Sequence, residues 1–188
     1  MKYYWWWWQS ELSDEEVNNI IKVCESEKYQ ETDACIGHGA GEHVDSNYRT
    51  SKIRFINEPD LSDKIWNYVH EANNNAFGFD IVKTNSDIQY TKYNSEDAGH
   101  YNWHRDNNWL KQTYFDRKLS VVIQLSDPSE YEGGALQFRI DGETLEEENF
   151  KPKGSIIVFP SFIKHRVTEV TKGTRRSLVS WIEGPKFR

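Results

Sequence analysis

Apolar residues recur at two different spacings along this chain, helical in the first half and alternating in the second. Val17, Ile20, Ile21 and Cys24 fall on one helix face. Just before them, Ser13-Asp14-Glu15-Glu16 has the form of a capping box, in which the Ser13 hydroxyl caps a first-turn amide and Glu16 reaches back to the Ser13 amide. The pattern predicts a helix from about Asp14 to Glu27, docked through that face on something larger. Asp60 to Asn75 predicts a second helix, with Leu61, Ile65, Trp66 and Val69 inward. Between the two, Thr32 to Asn47 reads as a strand followed by an irregular loop, its glycines and alanines set among polar residues.

From about Asp87 the period drops to two. Short β-rich runs follow: Ile88 to Tyr93, Gly99 to Asp106, Lys118 to Leu125, Ala135 to Ile140, Ser155 to Phe159, His165 to Val170 and Arg175 to Ile182. Asp127-Pro128-Ser129, Gly133-Gly134, Asp141-Gly142, Lys153-Gly154, Pro160-Ser161 and Lys172-Gly173 separate them as turns. Strands at this spacing make a sandwich or barrel. Helices first and strands later give an α+β, mainly β domain: a jelly-roll core with the N-terminal helices packed on one sheet. Residues 1–86 read as a helical support region and 87–188 as the core of a single domain. The acidic stretch Glu143 to Glu148 reads as a solvated loop.

Composition narrows the partners. Lys+Arg 23 against Asp+Glu 30 gives a net charge of -7, which leaves no basic footprint for nucleic acid or an anionic membrane. A small molecule or a peptide is the expected partner. No window approaches the ~20 apolar residues of a membrane span. Met1-Lys2 and the six aromatics after them lack the apolar core and cleavage site of a secretory signal. Two cysteines, Cys24 and Cys35, are too few for a disulfide framework and point to a reducing, cytoplasmic setting. The run Tyr3 to Trp8 would cost solubility if exposed, so it packs on the sheet, lines a groove or forms a subunit contact, with core packing the expectation for a chain taken as monomer or homodimer.

The residues that carry chemistry are His104-Arg105-Asp106 and, much later, His165. In a strand, alternate side chains share a face, so His104 and Asp106 point the same way. A third ligand from a distant strand completes a two-histidine, one-carboxylate set, which occupies one face of an octahedral Fe(II) and leaves three positions open. Arg175 lies ten residues beyond His165, on the next strand-like run, where Arg175, Ser177, Val179 and Trp181 share a face. A guanidinium inside a barrel needs a carboxylate partner, and its planar fork suits bidentate contact. Tetrahedral zinc also takes His, His and Asp. Arg175 counts against that reading. A jelly-roll module that binds a peptide or sugar without catalysis is the other alternative.

The set His104-x-Asp106, His165, Gly173-x-Arg175 and Trp181 resembles the Fe(II)- and 2-oxoglutarate-dependent oxygenases, most closely their prolyl 4-hydroxylase branch. The likeness covers roughly Tyr90 to Gly184. Tyr93, Gly99 and Tyr101 before His104 resemble that branch's lead-in. Tyr131-Glu132-Gly133-Gly134-x-Leu136-x-Phe138 resembles its Gly-Gly strand, and Lys153-Gly154-x-Ile156-x-Val158-Phe159 the strand feeding the distal histidine. The resemblance implies a double-stranded β-helix that couples O₂ use to decarboxylation of 2-oxoglutarate to succinate and CO₂, with hydroxylation of a proline in a peptide or protein. It implies Fe(II) on His104, Asp106 and His165, with ascorbate as reductant. It also implies Arg175 and Tyr93 on 2-oxoglutarate, and Tyr101, Arg117 and Trp181 around the substrate.

Two positions depart from the branch. Many prolyl hydroxylases carry Lys where this chain has Arg175, and Leu136 stands where they often carry a Thr that helps hold the distal carboxylate. An aliphatic side chain cannot donate there, which leaves Ser120, Gln124, Ser177 or Tyr93 to supply that hydrogen bond. Another residue, or a free amino acid, is the alternative acceptor. The stretches Gly37 to Asn47 and Asn107 to Asp116 are candidate lids.

Overall fold

The computed structural model describes residues 3–36, 43–82, 88–107 and 114–187. Strand β1 (Trp6–Trp8) precedes α1 (Asp14–Cys24), and β2 (Thr32–Asp33), β3 (Arg49–Thr50) and β4 (Lys52–Ile56) lead into α2 (Pro59–Ala72). The second half carries β5 (Ile88–Asn94), β6 (His100–His104), β7 (Phe115–Gln124), β8 (Tyr131–Gly133), β9 (Leu136–Ile140), β10 (Glu143–Glu146), β11 (Ile156–Pro160), β12 (Lys164–Val167) and β13 (Val170–Pro185). The larger sheet runs β1-β11-β7-β13-β5-β4-β2, with β8 paired on β13, and the smaller runs β10-β9-β12-β6-β3. Every strand pairing is antiparallel. The two sheets enclose one apolar layer that includes Phe138, Phe159, Val122 and Val167, the double-stranded β-helix expected from the alternating runs.

Both helices cover the outer face of the larger sheet. Val17 and Cys24 of α1 and Ile65, Val69 and Ala72 of α2 are buried against Tyr90, Leu119, Val121 and Leu178, so the helical spacing and the outer strand positions make one core. The capping box forms as expected: Glu16 N–H donates to Ser13 Oγ at 3.3 Å and Ser13 N–H to Glu16 Oε2 at 2.8 Å. The helix stops at Cys24, short of Glu27. Arg54 Nη1 donates to the carbonyls of Cys24, Ser26 and Tyr29 and so satisfies carbonyls left open where the helix ends.

Three further elements differ from the sequence reading. The strand β4 was not expected. It pairs along β5, and β2 and β3 join the sheets beside it, so residues of the first half complete both layers. Glu143 to Glu146 form the strand β10 against β9, where a solvated loop was expected, because Asp141-Gly142 turns the chain tightly back. Lys172-Gly173 is no turn. It lies inside β13, where Lys172 and Gly173 pair with Glu132 and Tyr131 of β8. Gly173 has φ +71°, and a Cβ there would meet the Glu130 carbonyl oxygen at 2.0 Å, so the strand bends at this point without ending.

The tryptophan run is an edge strand. Trp6, Trp7 and Trp8 pair with Val158, Ile157 and Ile156. Trp5 stacks on Phe138 at 5.1 Å, between the sheets, while Trp8 packs edge-on against Tyr68 of α2 at 5.1 Å. Trp7 is 42% exposed. The run is therefore split between the two cores, and Trp8→Ala is expected to cost about 3 kcal/mol in urea unfolding against about 1 kcal/mol for Trp7→Ala.

Candidate active site

His104 and His165 face each other across β6 and β12 as a directly paired couple. Asp106 follows just beyond the end of β6, and its N–H donates to the Ser161 carbonyl at 2.9 Å. His104 Nε2 lies 3.5 Å from Asp106 Oδ1, and His165 Nε2 lies 3.5 Å from Asp106 Oδ2. The three donor atoms sit within 4.8 Å of one another. Each imidazole is oriented from behind: His104 Nδ1 is 2.8 Å from the Asn102 carbonyl and His165 Nδ1 is 2.9 Å from that of Ile163. A carbonyl only accepts, so each Nδ1 carries a proton and each Nε2 is the nitrogen turned inward.

Asp106 is held from the other sheet, since Ser120 Oγ on β7 donates to Oδ2 at 2.6 Å and contacts Ser161 Oγ at 2.9 Å. Burial alone would raise the Asp106 pKa, but His165, His104 and the Ser120 hydroxyl outweigh it and hold the carboxyl well below the usual range. Burial, then the neighbouring His104, pulls His165 down to about 4. At neutral pH the cluster is thus one carboxylate and a neutral His165 imidazole, with His104 Nε2 facing the same point. Two ring nitrogens and a carboxylate oxygen converge on one point, a donor set that a divalent cation satisfies and that suits Fe(II) with open positions.

All eight residues singled out in the sequence line one cavity of about 350 Å³ between the sheets: His104, Asp106, His165, Arg175, Tyr93, Tyr101, Arg117 and Trp181. Arg175 pairs with Tyr93 in register, is 4% exposed, and carries its guanidinium 5.7 Å from the Tyr93 ring centroid. Among the described residues no carboxylate pairs with it. Its stem packs on Gly134, where a Cβ would come within 3.0 Å of Arg175 Cδ. A buried guanidinium without a counter-ion, facing the same cavity as the triad, is suited to an anionic ligand.

Of the four candidates to replace the missing Thr donor, Tyr93 and Ser177 line the cavity beside Leu136. Ser120 is turned to Asp106, and Gln124 donates to the Tyr131 hydroxyl and the Ser126 carbonyl. Gln89 lines the same wall and was missed. Its signal was available, because residues 89, 91 and 93 share a strand face with Tyr93.

Tyr101 stacks on His104 with ring centroids 3.5 Å apart, and burial pushes its phenol pKa far up. Arg117 lies over the Trp181 ring at 3.9 Å, its guanidinium pKa lowered by burial against the pull of Asp106 and Glu183. Among the described residues Trp181 Nε1 is buried without a hydrogen-bond partner. Tyr48 and Arg49 also line the cavity and were not singled out in the sequence, since two residues of strand give no readable period. Of the two candidate lids, residues 37–42 and 108–113 lie outside the described residues.

Comparison with known proteins agrees with this geometry. A PKHD-type hydroxylase of Prochlorococcus marinus is 38% identical over 105 residues, which is 56% of this chain and 45% of that protein; the match spans less than half of the relative's length. Among solved structures, a prolyl-4-hydroxylase of Pseudomonas putida superposes with a TM-score of 0.70 at 19% identity, over 97% of this chain and 94% of the other. A prolyl hydroxylase of Trichoplax adhaerens, in complex with a hypoxia inducible factor peptide fragment, gives 0.71 at 16% identity, over 95% and 83%. At such identities the likeness is one of fold. The model of the 2OG-Fe(II) oxygenase superfamily matches residues 88–183, just over half of the chain and the stretch that holds the histidine pair, Asp106 and Arg175, and the chain belongs to that superfamily.

Proposed function

We propose that this chain is an Fe(II)- and 2-oxoglutarate-dependent dioxygenase that hydroxylates a peptidyl proline in the cytoplasm. The observation that carries the reading is the buried, unpaired Arg175 in the same cavity as the three converging donor atoms. His104, Asp106 and His165 are the residues that would hold Fe(II). Bound Fe(II), with 2-oxoglutarate and O₂, supplies an oxidation that turns an unactivated C–H into C–OH while the cosubstrate becomes succinate and CO₂.

The chain's own residues do the positioning. The Asn102 and Ile163 carbonyls fix the imidazole tautomers, and Ser120 fixes the carboxylate. Arg175 grips the distal carboxylate of 2-oxoglutarate with its fork, and the Tyr93 hydroxyl donates to the cosubstrate. Tyr101 and Trp181 form a dry aromatic wall for the acceptor, with Arg117 above Trp181. Ascorbate serves as the external reductant. The prolyl-4-hydroxylase and the peptide complex among the structural neighbours support a proline in a peptide as acceptor. A second reading, hydroxylation of another residue or of a free amino acid, is favoured by Arg175 and Leu136, which differ from the residues many prolyl hydroxylases use.

Iron-loaded protein given 2-oxoglutarate, O₂ and ascorbate is expected to form succinate, and to add one oxygen to a proline-containing peptide by mass. His165→Ala is expected to reduce both to background; succinate formation that survives this change, or none from wild-type protein shown to hold Fe(II), overturns the reading. Arg175→Gln is expected to raise the KM for 2-oxoglutarate by roughly tenfold or more with a smaller change in kcat, as expected for loss of a charged hydrogen-bonding partner. The depressed His165 pKa also has a thermodynamic sign. The unfolded chain takes up this proton near pH 6.5 and the folded chain only near 4. Stability of the metal-free protein is therefore full above about pH 6.5 and falls as pH drops toward 4. Urea unfolding at pH 7, 6 and 5 measures that slope, and His165→Asn is expected to flatten it.

A further inference from the structure

Among the described residues, four arginines, Arg49, Arg105, Arg117 and Arg175, and a single carboxylate, Asp106, line the central cavity of a chain whose net charge is -7. Elsewhere the described cations are mostly matched: Arg54 pairs with Glu31, Arg176 with Glu25, Lys92 with Glu31 and Lys64 with Glu16. In the cavity they are not. Arg49 is 7% exposed, and its Nε donates to the neutral Ser51 hydroxyl at 3.0 Å. Arg117 is half-buried over Trp181. Among the described residues neither has a carboxylate within ion-pair distance.

The charges can be followed further if the proposed function is accepted, on which this inference rests. Fe(II) with Asp106 leaves one positive charge, and dianionic 2-oxoglutarate with Arg175 leaves one negative charge. These cancel. Arg105 is exposed and donates to the Phe162 carbonyl. Among the described residues Arg49 and Arg117 lack an ion-pair partner in a partly dry site, with Asp106 and Glu183 acting on Arg117 only from beyond ion-pair distance. An unpaired charge there is costly. Both are pre-set by aromatic faces. The Arg49 guanidinium lies 4.4 Å from the Tyr101 ring, which in turn stacks on the ligand His104. Arg117 lies on Trp181, whose register partner Ser120 holds Asp106. Arg49 lines the cavity from the smaller sheet through β3 and Arg117 from the larger sheet through β7.

We infer that the acceptor carries a carboxylate next to the carbon that is hydroxylated, and that Arg49 and Arg117 hold this carboxylate from opposite sheets. Its chemistry is that of an Asp or Glu side chain beside the acceptor in a peptide, or of the α-carboxylate of a free amino acid. Neutral acceptors leave both guanidiniums unpaired and are bound less well.

Matched ligands that differ only in charge test this by calorimetry, on protein loaded with Zn(II) as a redox-inert stand-in and with 2-oxoglutarate. One pair is acetyl-Glu-Pro-Gly-amide and acetyl-Gln-Pro-Gly-amide; the other is L-proline and L-prolinamide. At least one acid is expected to bind roughly tenfold more tightly than its amide, equivalent to about 1.4 kcal/mol. Which pair shows the preference separates the peptide from the free amino acid. Arg49→Gln and Arg117→Gln are each expected to bring the ratio toward one, and Arg49→Lys and Arg117→Lys, which keep the charge, to retain part of it. Equal or undetectable binding of acid and amide in both pairs overturns the inference, as does a preference that survives both glutamine variants. Failure of 2-oxoglutarate itself to bind in the preceding titration instead strikes at the oxygenase reading.

Discussion

Asp106 places a carboxylate between two sheets, where a charge without compensation costs several kcal/mol. Much of the local architecture follows from how that charge is met. The Ser161 carbonyl fixes its backbone, Ser120 reaches it from the larger sheet, and two imidazoles approach it from the smaller one. Each imidazole is in turn fixed by the carbonyl two residues before it in the chain. The sheets are therefore tied together at this point by polar contacts, while Phe138 and Phe159 close the apolar layer directly behind His165 at ring distances of 6.1 and 4.8 Å. Ser120 and Asn102 lie on strands with neighbours on both sides, and Ser161 and Ile163 lie in the short turn that joins β11 to β12, so each supporting group is anchored close to a paired strand.

The two halves of the chain contribute differently to the cavity. Every residue proposed to touch the metal or the cosubstrate lies within the stretch that matches the superfamily. The first half sends Cys35, Ile36, Tyr48, Arg49 and Phe55 to the rim and wall. The histidine pair, Asp106 and Arg175 thus lie in the part shared with the superfamily, and the cavity wall is built partly from residues outside it.

What was readable in the sequence was what repeats or caps. The period of two from Ile88 onward, the capping box at Ser13, and the single faces of Val17 to Cys24 and of Leu61 to Val69 all correspond to elements in place. That the residues singled out line one cavity was readable from the period of two, which puts His104 with Asp106 and Arg175 with Trp181 on common faces, although β6 itself ends at His104. The misses have physical causes. The strand β4 is short and alternates with cationic residues that point to Glu31 and Asp33, so its pairing was set by neighbours far along the chain. Gly173 looked like a turn because positive φ is used both to reverse a chain and to bend one, and only the presence of β8 alongside decides between them. Arg49 became meaningful only once folding had brought Tyr101 beneath it.

The edge strand of tryptophans has a consequence for biogenesis. Its partner β11 lies near the other end of the chain, so at ordinary elongation speeds the ribosome needs roughly ten seconds to make one after the other. During that interval Trp5 to Trp8 have no sheet to join. α2 emerges midway and offers Tyr68 as a first apolar surface for Trp8. Until β11 is made, the nascent chain presents its most adhesive segment to whatever chaperone or neighbouring nascent chain is nearest.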